Sequence, residues 1–250
     1  MSDISYSNFV NVEIVKLFKK AGANNKIISL WKEQSKNIEK ILSSKMVQGM
    51  RKNTLTRQQF DELYMKPDVI YIYNLGVELK KRAIAEKNKS DKNNIMMLAE
   101  MYLGYQTKYR RFKKYNLNIK DKLDDEVCNK HIDLLAKKTN INEYYIAILT
   151  DMMPYVCFAN YLYNIIDTDD NIWMAYAKKY GTQDSEYVSE KLSKSFMIVN
   201  KILDKNLVSN KVASSLFKEG MYFERYFIEK AMKGELTSKI KKYKSAKKIE

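Results

Sequence analysis

Three observations predict an all-α chain. Only seven Gly and two Pro interrupt 250 residues, too few breakers for the closely spaced turns of a sandwich or barrel. Apolar residues recur at i, i+3, i+4 and i+7 through most of the chain, the period of an amphipathic helix. Apolar side chains make up 45% of the sequence, enough to give each helix a face to bury.

The first helix is expected over residues 5–20, stopping at Gly22. A second spans about 25–43 and turns Ile27, Leu30, Trp31, Ile38 and Leu42 inward. A third opens at Thr56, where Thr56 and Gln59 have capping-box spacing, and runs towards residue 87 with a kink at Pro67. A fourth covers about 91–115, with Leu98, Met101, Tyr102, Tyr105, Tyr109 and Phe112 on one face. Shorter segments follow near 121–138, 142–166 and 170–180, then longer ones near 184–204 and 209–232. The stretch 144–163 is apolar almost all round, which marks it as the central, fully surrounded helix. No internal repeat and no linker rich in Gly, Ser or Pro divides the chain, so it reads as one domain: an N-terminal extension over 1–24, a helical body over 25–232, and a basic tail over 233–250 that frays.

Composition removes several chemistries. A single histidine, His131, argues against haem ligation and against the zinc and di-iron centres that use two or more imidazoles. Two cysteines, Cys128 and Cys157, make neither a disulfide framework nor a four-cysteine metal site. No metal or cofactor is expected. The net charge of +15 comes largely from 108–122 and 233–250, yet only six residues are Arg, the side chain suited to bidentate phosphate and base contacts. A solvated lysine-rich surface explains the charge better than nucleic-acid binding. No apolar run is long enough to span a membrane and the N-terminus lacks a secretory pattern, which points to a cytoplasmic protein.

Two carboxylates fall on apolar faces. Asp68 interrupts the stripe Phe60, Tyr64, Tyr71, Ile72, Leu75 and Leu79, and Glu224 interrupts Phe217, Gly220, Met221, Phe227, Ile228 and Ala231. A buried carboxylate must be paired, hydrogen-bonded or protonated. Either each acid satisfies a local structural need, or the two serve an inter-helix pocket ringed by some of the 19 tyrosines. His131, Trp31 and Trp173 read as packing residues, and Cys157 as a small hydrophobe.

The stretch 46–55 (MVQGMRKNTL), followed by Phe60, Leu63, Tyr64 and Asp68-x-x-Tyr71, resembles the TenA (thiaminase II)/PqqC-type pattern "G-T-L…F…Y-L…Q-D-x-x-Y". Met152-Met153-Pro154 is similar to that family's "L-L-P-C", Asn171-Ile172-Trp173 through Tyr180-Gly181 to its "N-P-Y…W-I…Y-G/A", and 221–227 (MYFERYF) to its "L-E-x-x-F-F/W". Together the elements cover about residues 25–232 in the family's order. The resemblance implies a haem-oxygenase-like helical bundle, a homo-oligomer, and a pocket for a small, thiamin-related pyrimidine. It gives Asp68 the role of the pyrimidine-holding acid, Tyr71 and Tyr180 those of pocket aromatics, and Glu224 that of the catalytic acid/base. Tyr105, Tyr155 and Phe227 complete the candidate ligand wall.

The chain departs from the pattern where the chemistry is concentrated. Tyr155 stands at the nucleophilic cysteine's position, Pro67 at that of the glutamine before Asp68, and Ala159 at that of a tyrosine four residues after the nucleophile. Cys157 is the candidate replacement thiol, but it lies two residues on, about 200° around a regular helix. Three functions follow: an aminopyrimidine or thiamin hydrolase using Cys157 or a water activated by Glu224; a TenA-like binding or interaction module without catalysis; or an oxidase of the PqqC kind.

Overall fold

The computed structural model describes residues 5–103, 113, 122–137 and 140–239. The chain forms two compact units: Met1–Phe60 with Lys138–Met232, and Asp61–Lys137 with Lys233–Glu250. The boundary at 60/61 falls inside the helical body that the sequence outlines.

In the first unit, the opening helix Ile14–Lys20 is preceded by a short turn, Tyr6–Asn8, and a π-helical turn, Phe9–Glu13. The second expected helix is two, Asn25–Glu33 and Ser35–Leu42, separated at Gln34. Asn24 caps the first of these by accepting from the Ile27 N–H at 3.0 Å. A further helix, Lys45–Arg51, carries Met46, Val47 and Met50 into the core and is capped by Ser44; its seven residues are too short for a visible period. Thr56 and Gln59 form the capping box: the Gln59 N–H donates to Thr56 Oγ1 at 3.1 Å, and the Thr56 N–H donates to Gln59 Oε1 at 3.0 Å.

The helix Ile141–Ile165 is central to this unit, packing on Met174–Gly181, Asn210–Ala231, Ser193–Asp204, Ser35–Leu42 and Lys45–Arg51. It runs through Pro154 without stopping. It is not surrounded on every side, because Asp151, Tyr163 and Asn164 are exposed. Two glycines let neighbours approach it closely. A Cβ on Gly181 would collide with the backbone of Ala159 and Asn160, and one on Gly220 with the Thr150 side chain. The segment 184–204 opens with a π-helical turn, Tyr187–Leu192, before Ser193–Asp204.

In the second unit, a π-helical turn Asp61–Met65 leads without a break into Lys66–Ala85, with Pro67 just after the change from π to α geometry. The helix Lys89–Leu103 packs on it. Gly76 permits the contact, because a Cβ there would press on Leu103 and Tyr102. Glu126–Ala136 packs on the same long helix and is capped by Asp125, which accepts from the Cys128 N–H at 2.8 Å. The expected helix start near 121 is instead a two-residue strand, Lys122–Leu123, paired antiparallel with Ser238–Lys239. The beginning of the basic tail is therefore held: Leu236 is buried, and the Thr237 carbonyl accepts from the Asp124 N–H at 2.8 Å. Residues 104–112, which include Tyr105 and Tyr109, lie outside the described residues.

Candidate functional site

The first unit gathers aromatic rings around Tyr155. Tyr155 directly follows Pro154 on the central helix and is half-buried. Its ring centroid lies 5.1 Å from Phe158, 5.2 Å from Tyr180, 5.6 Å from Tyr176 and 6.1 Å from Tyr187. Three of these contacts are edge-to-face, the arrangement that ring quadrupoles favour. Tyr176 and Tyr180 are four residues apart on Met174–Gly181 and so share a face, 4.9 Å between centroids.

A polar frame fixes these rings. Asn171 donates through Nδ2 to the carbonyls of Met50 at 3.0 Å and Arg51 at 3.1 Å, while its Oδ1 accepts from the Trp173 N–H at 2.8 Å. Trp173 Nε1 donates to the Leu55 carbonyl at 2.8 Å. The buried indole is flanked by Phe60 at 5.1 Å and by the Arg57 guanidinium 4.0 Å from the ring centroid. Asn160 Nδ2 donates to the Gly181 carbonyl at 2.6 Å and ties the end of the Tyr180 helix to the central one.

Glu224 and Phe227 belong to the closing helix of this unit, Asn210–Ala231. Phe227 is buried with Phe223, Met221 and Ile228. Glu224 is half-buried, as is Asp68 in the second unit, so neither carries the full cost of a carboxylate sealed from water that its apolar stripe suggests. Cys157 is fully buried, and that burial pushes its thiol well above the ordinary value, holding it as S–H. Burial, helped by Asp125, raises Cys128 as well.

In the second unit Tyr71 is buried, one turn after Asp68 on Lys66–Ala85. Its hydroxyl meets His131 Nδ1 at 2.7 Å, and the two rings lie 14° from parallel with centroids 6.1 Å apart. His131 is thus more than the packing residue its sequence context suggests. Nothing in the sequence pairs it with a tyrosine 60 residues away. Tyr176, Tyr187 and Phe158 were also absent from the sequence-derived set, although Tyr176 and Tyr180 carry the i, i+4 signal that could have found them. Among the described residues, no group of three or more His, Cys, Asp or Glu side chains is placed to hold a metal ion. No described helix is long and apolar enough to cross a membrane.

The helical architecture defines an all-α protein of the haem-oxygenase-like bundle class. It is similar to the crystal structure of a TenA homologue from Pyrococcus furiosus, which matches with a TM-score of 0.57 and 15% identity over 82% of this chain and 99% of that one. That likeness is one of fold. No protein-family model matches the chain, and no curated protein matches it by sequence.

Proposed function

We propose that this chain is a TenA-like binding protein for a small, planar nitrogen heterocycle related to the thiamin pyrimidine, and that it works without a thiolate nucleophile. The observation that carries the reading is Tyr155. It occupies the position that the resemblance gives to the nucleophilic cysteine, and it is the hub of a ring cluster suited to stacking against a flat ligand. The nearest thiol along the chain, that of Cys157, is sealed in the core and held protonated, which supports binding over attack on a ring carbon. Glu224 is assigned as the acid that orients the ligand. Tyr180 and Phe227 are the other ligand-binding candidates of the first unit; Asp68 and Tyr71, which the resemblance also points to, are candidates of the second unit taken by itself. In this reading the protein is a cytoplasmic homo-oligomer whose ligand-binding region lies within residues 25–232.

The hydrolase reading keeps one point in its favour, since Glu224 is half-exposed and able to activate a water. Titration calorimetry with 4-amino-5-aminomethyl-2-methylpyrimidine and with thiamin, run beside an ammonia-release assay, separates the two. Binding is expected with no ammonia above the uncatalysed background, and Glu224→Gln should weaken it about tenfold, the effect of one charge-assisted hydrogen bond. Turnover abolished by Glu224→Gln would establish the hydrolase instead. Absence of binding by either compound would reject a thiamin-related ligand.

A further inference from the structure

We propose that a cleft of about 300 Å³, between the opening helix and the end of the central helix, binds a small carboxylate that carries an amide, of the N-acyl amino acid kind. The cleft lies wholly within the first unit and shares no lining residue with the Tyr155 ring cluster.

That volume equals about ten waters and stands at the lower end of what small-molecule sites enclose. The π-helical turn Phe9–Glu13 and the helix Ile14–Lys20 bring Phe9, Glu13, Leu17 and Lys20 to it. Phe9 and Leu17 are buried and form its apolar part. Asn160 and Asn164, one turn apart on Ile141–Ile165, and Gln183, from the linker after Gly181, supply amides.

The hydrogen bonds already made decide what the cleft still has to offer. Glu13 is spent, because both of its carboxylate oxygens accept from Lys16 Nζ at 3.1 Å. The asparagines use their N–H groups on the wall itself. Asn160 Nδ2 donates to the Gly181 carbonyl at 2.6 Å, and Asn164 Nδ2 donates to the Asn160 carbonyl at 2.7 Å and to its Oδ1 at 3.2 Å. Three groups remain. Lys20 is exposed and makes no ion pair among the described residues. Asn164 Oδ1 has no donor among them, and neither end of the Gln183 amide is hydrogen-bonded. Gln183 Oε1 is sealed from water as well. A sealed carbonyl without a donor bears its desolvation cost with no return, so an apolar side chain of the same size would serve stability better.

One ammonium, one carboxamide and one carbonyl oxygen specify their complement. Lys20 takes a single negative charge. The lining has no Arg, and Lys20 and Asn164 stand in the last turns of their helices, where the dipole disfavours a phosphate dianion. Lys16 already neutralises Glu13, so no carboxylate is left for a ligand ammonium. The ligand's N–H is therefore that of a neutral amide. It meets Asn164 Oδ1, or Gln183 Oε1 once that half-buried, unbonded side chain turns into the cleft, and the amide carbonyl accepts from Gln183 Nε2. An aliphatic side chain covers Phe9 and Leu17.

Ligand-observed NMR titrations of the full chain with N-acetyl-L-valine should give a dissociation constant of about 1 mM or tighter, the range for a ligand of this size. N-acetyl-L-valinamide, which lacks the charge, and 4-methylpentanoate, which lacks the amide, should each bind about tenfold more weakly. Lys20→Gln should erase the difference between N-acetyl-L-valine and its valinamide. Gln183→Leu should melt at a higher temperature than the wild type, because the sealed oxygen is gone, yet bind N-acetyl-L-valine about tenfold more weakly. A glutamine kept for structure would lose stability instead.

No binding of N-acetyl-L-valine up to about 10 mM would overturn the proposal. Tighter binding of inorganic phosphate, or of L-valine with its free ammonium, would overturn the ligand class. Binding that neither variant weakens would lie elsewhere on the molecule and overturn the site. If Gln183→Leu does not fold, Lys20→Gln, whose side chain lies in water, decides the question alone.

Discussion

Around Tyr155 the rings of Phe158, Tyr176 and Tyr180 meet edge to face, whereas Tyr71 turns its hydroxyl onto an imidazole. The same side chain serves the first unit as volume and quadrupole, and the second as a hydrogen-bonding group that meets His131 Nδ1. The first use tolerates any ring of similar size, because dispersion and edge-to-face attraction belong to the ring. The second is lost with a single oxygen. A tyrosine-rich sequence alone therefore says little about which tyrosines carry chemistry.

The contrast is broken most forcefully at Tyr155. Replacement by Ala removes a ring that four others contact, and should cost about 2–3 kcal/mol in urea unfolding, while Phe should cost well under half of that. Equal losses in the two variants would mean that Tyr155 is held by its hydroxyl and resembles Tyr71 after all. At Tyr71 the order reverses: Phe, the mild change at Tyr155, should already cost about 1 kcal/mol by removing the phenol's hydrogen bond with the half-buried imidazole. A melt indistinguishable from wild type would show that the 2.7 Å contact contributes nothing to stability.

Tyr161 offers a third use of the residue, one that leaves stability at neutral pH aside and shows only in alkaline solution. It is buried against Phe9 and Tyr6, and Gln48 Nε2 donates to the Tyr6 hydroxyl at 3.0 Å. Burial, then Tyr6 and its hydrogen bond, push the Tyr161 phenol from its ordinary 10.0 up to about 12. A raised folded-state value means that the folded chain holds this proton longer than the unfolded one. Its contribution is therefore complete below about pH 10 and is lost as pH rises towards 12, where the unfolded phenol ionises first. In chemical unfolding across that window, Tyr161→Phe should lose stability less steeply than wild type. Parallel pH curves would place the hydroxyl in contact with water.

How much of this was legible beforehand depends on the range of the interaction. The capping box at Thr56 and Gln59 spans three residues, and the sequence displays it outright. The long helices Lys66–Ala85, Ile141–Ile165 and Asn210–Ala231 followed from periodicity summed over many turns. The break at Gln34 was hidden, because both flanking helices keep the same apolar phase. Asp68 and Glu224 were visible as charges on apolar stripes, but periodicity reports which face a residue occupies, not how much water reaches it, and both prove half-buried. The His131–Tyr71 bond left no mark in either local sequence, since neither residue departs from its own helix's pattern.

The amide of Asn171 grips carbonyls that lie 121 and 120 residues earlier, and the Trp173 indole reaches back 118. These two clamps close the first unit across everything that lies between them, including all of Asp61–Lys137. On the ribosome, which adds about 5–20 residues each second, the early helices Asn25–Glu33 and Ser35–Leu42 must wait several seconds for their partners to emerge. Over that interval Ile27, Trp31, Ile38 and Leu42, all sealed in the finished protein, have only the N-terminal turns to pack against, as Trp31 does against Phe18 and the Val10 carbonyl. Nascent chains stalled before Asn171 should accordingly be the ones that engage chaperones.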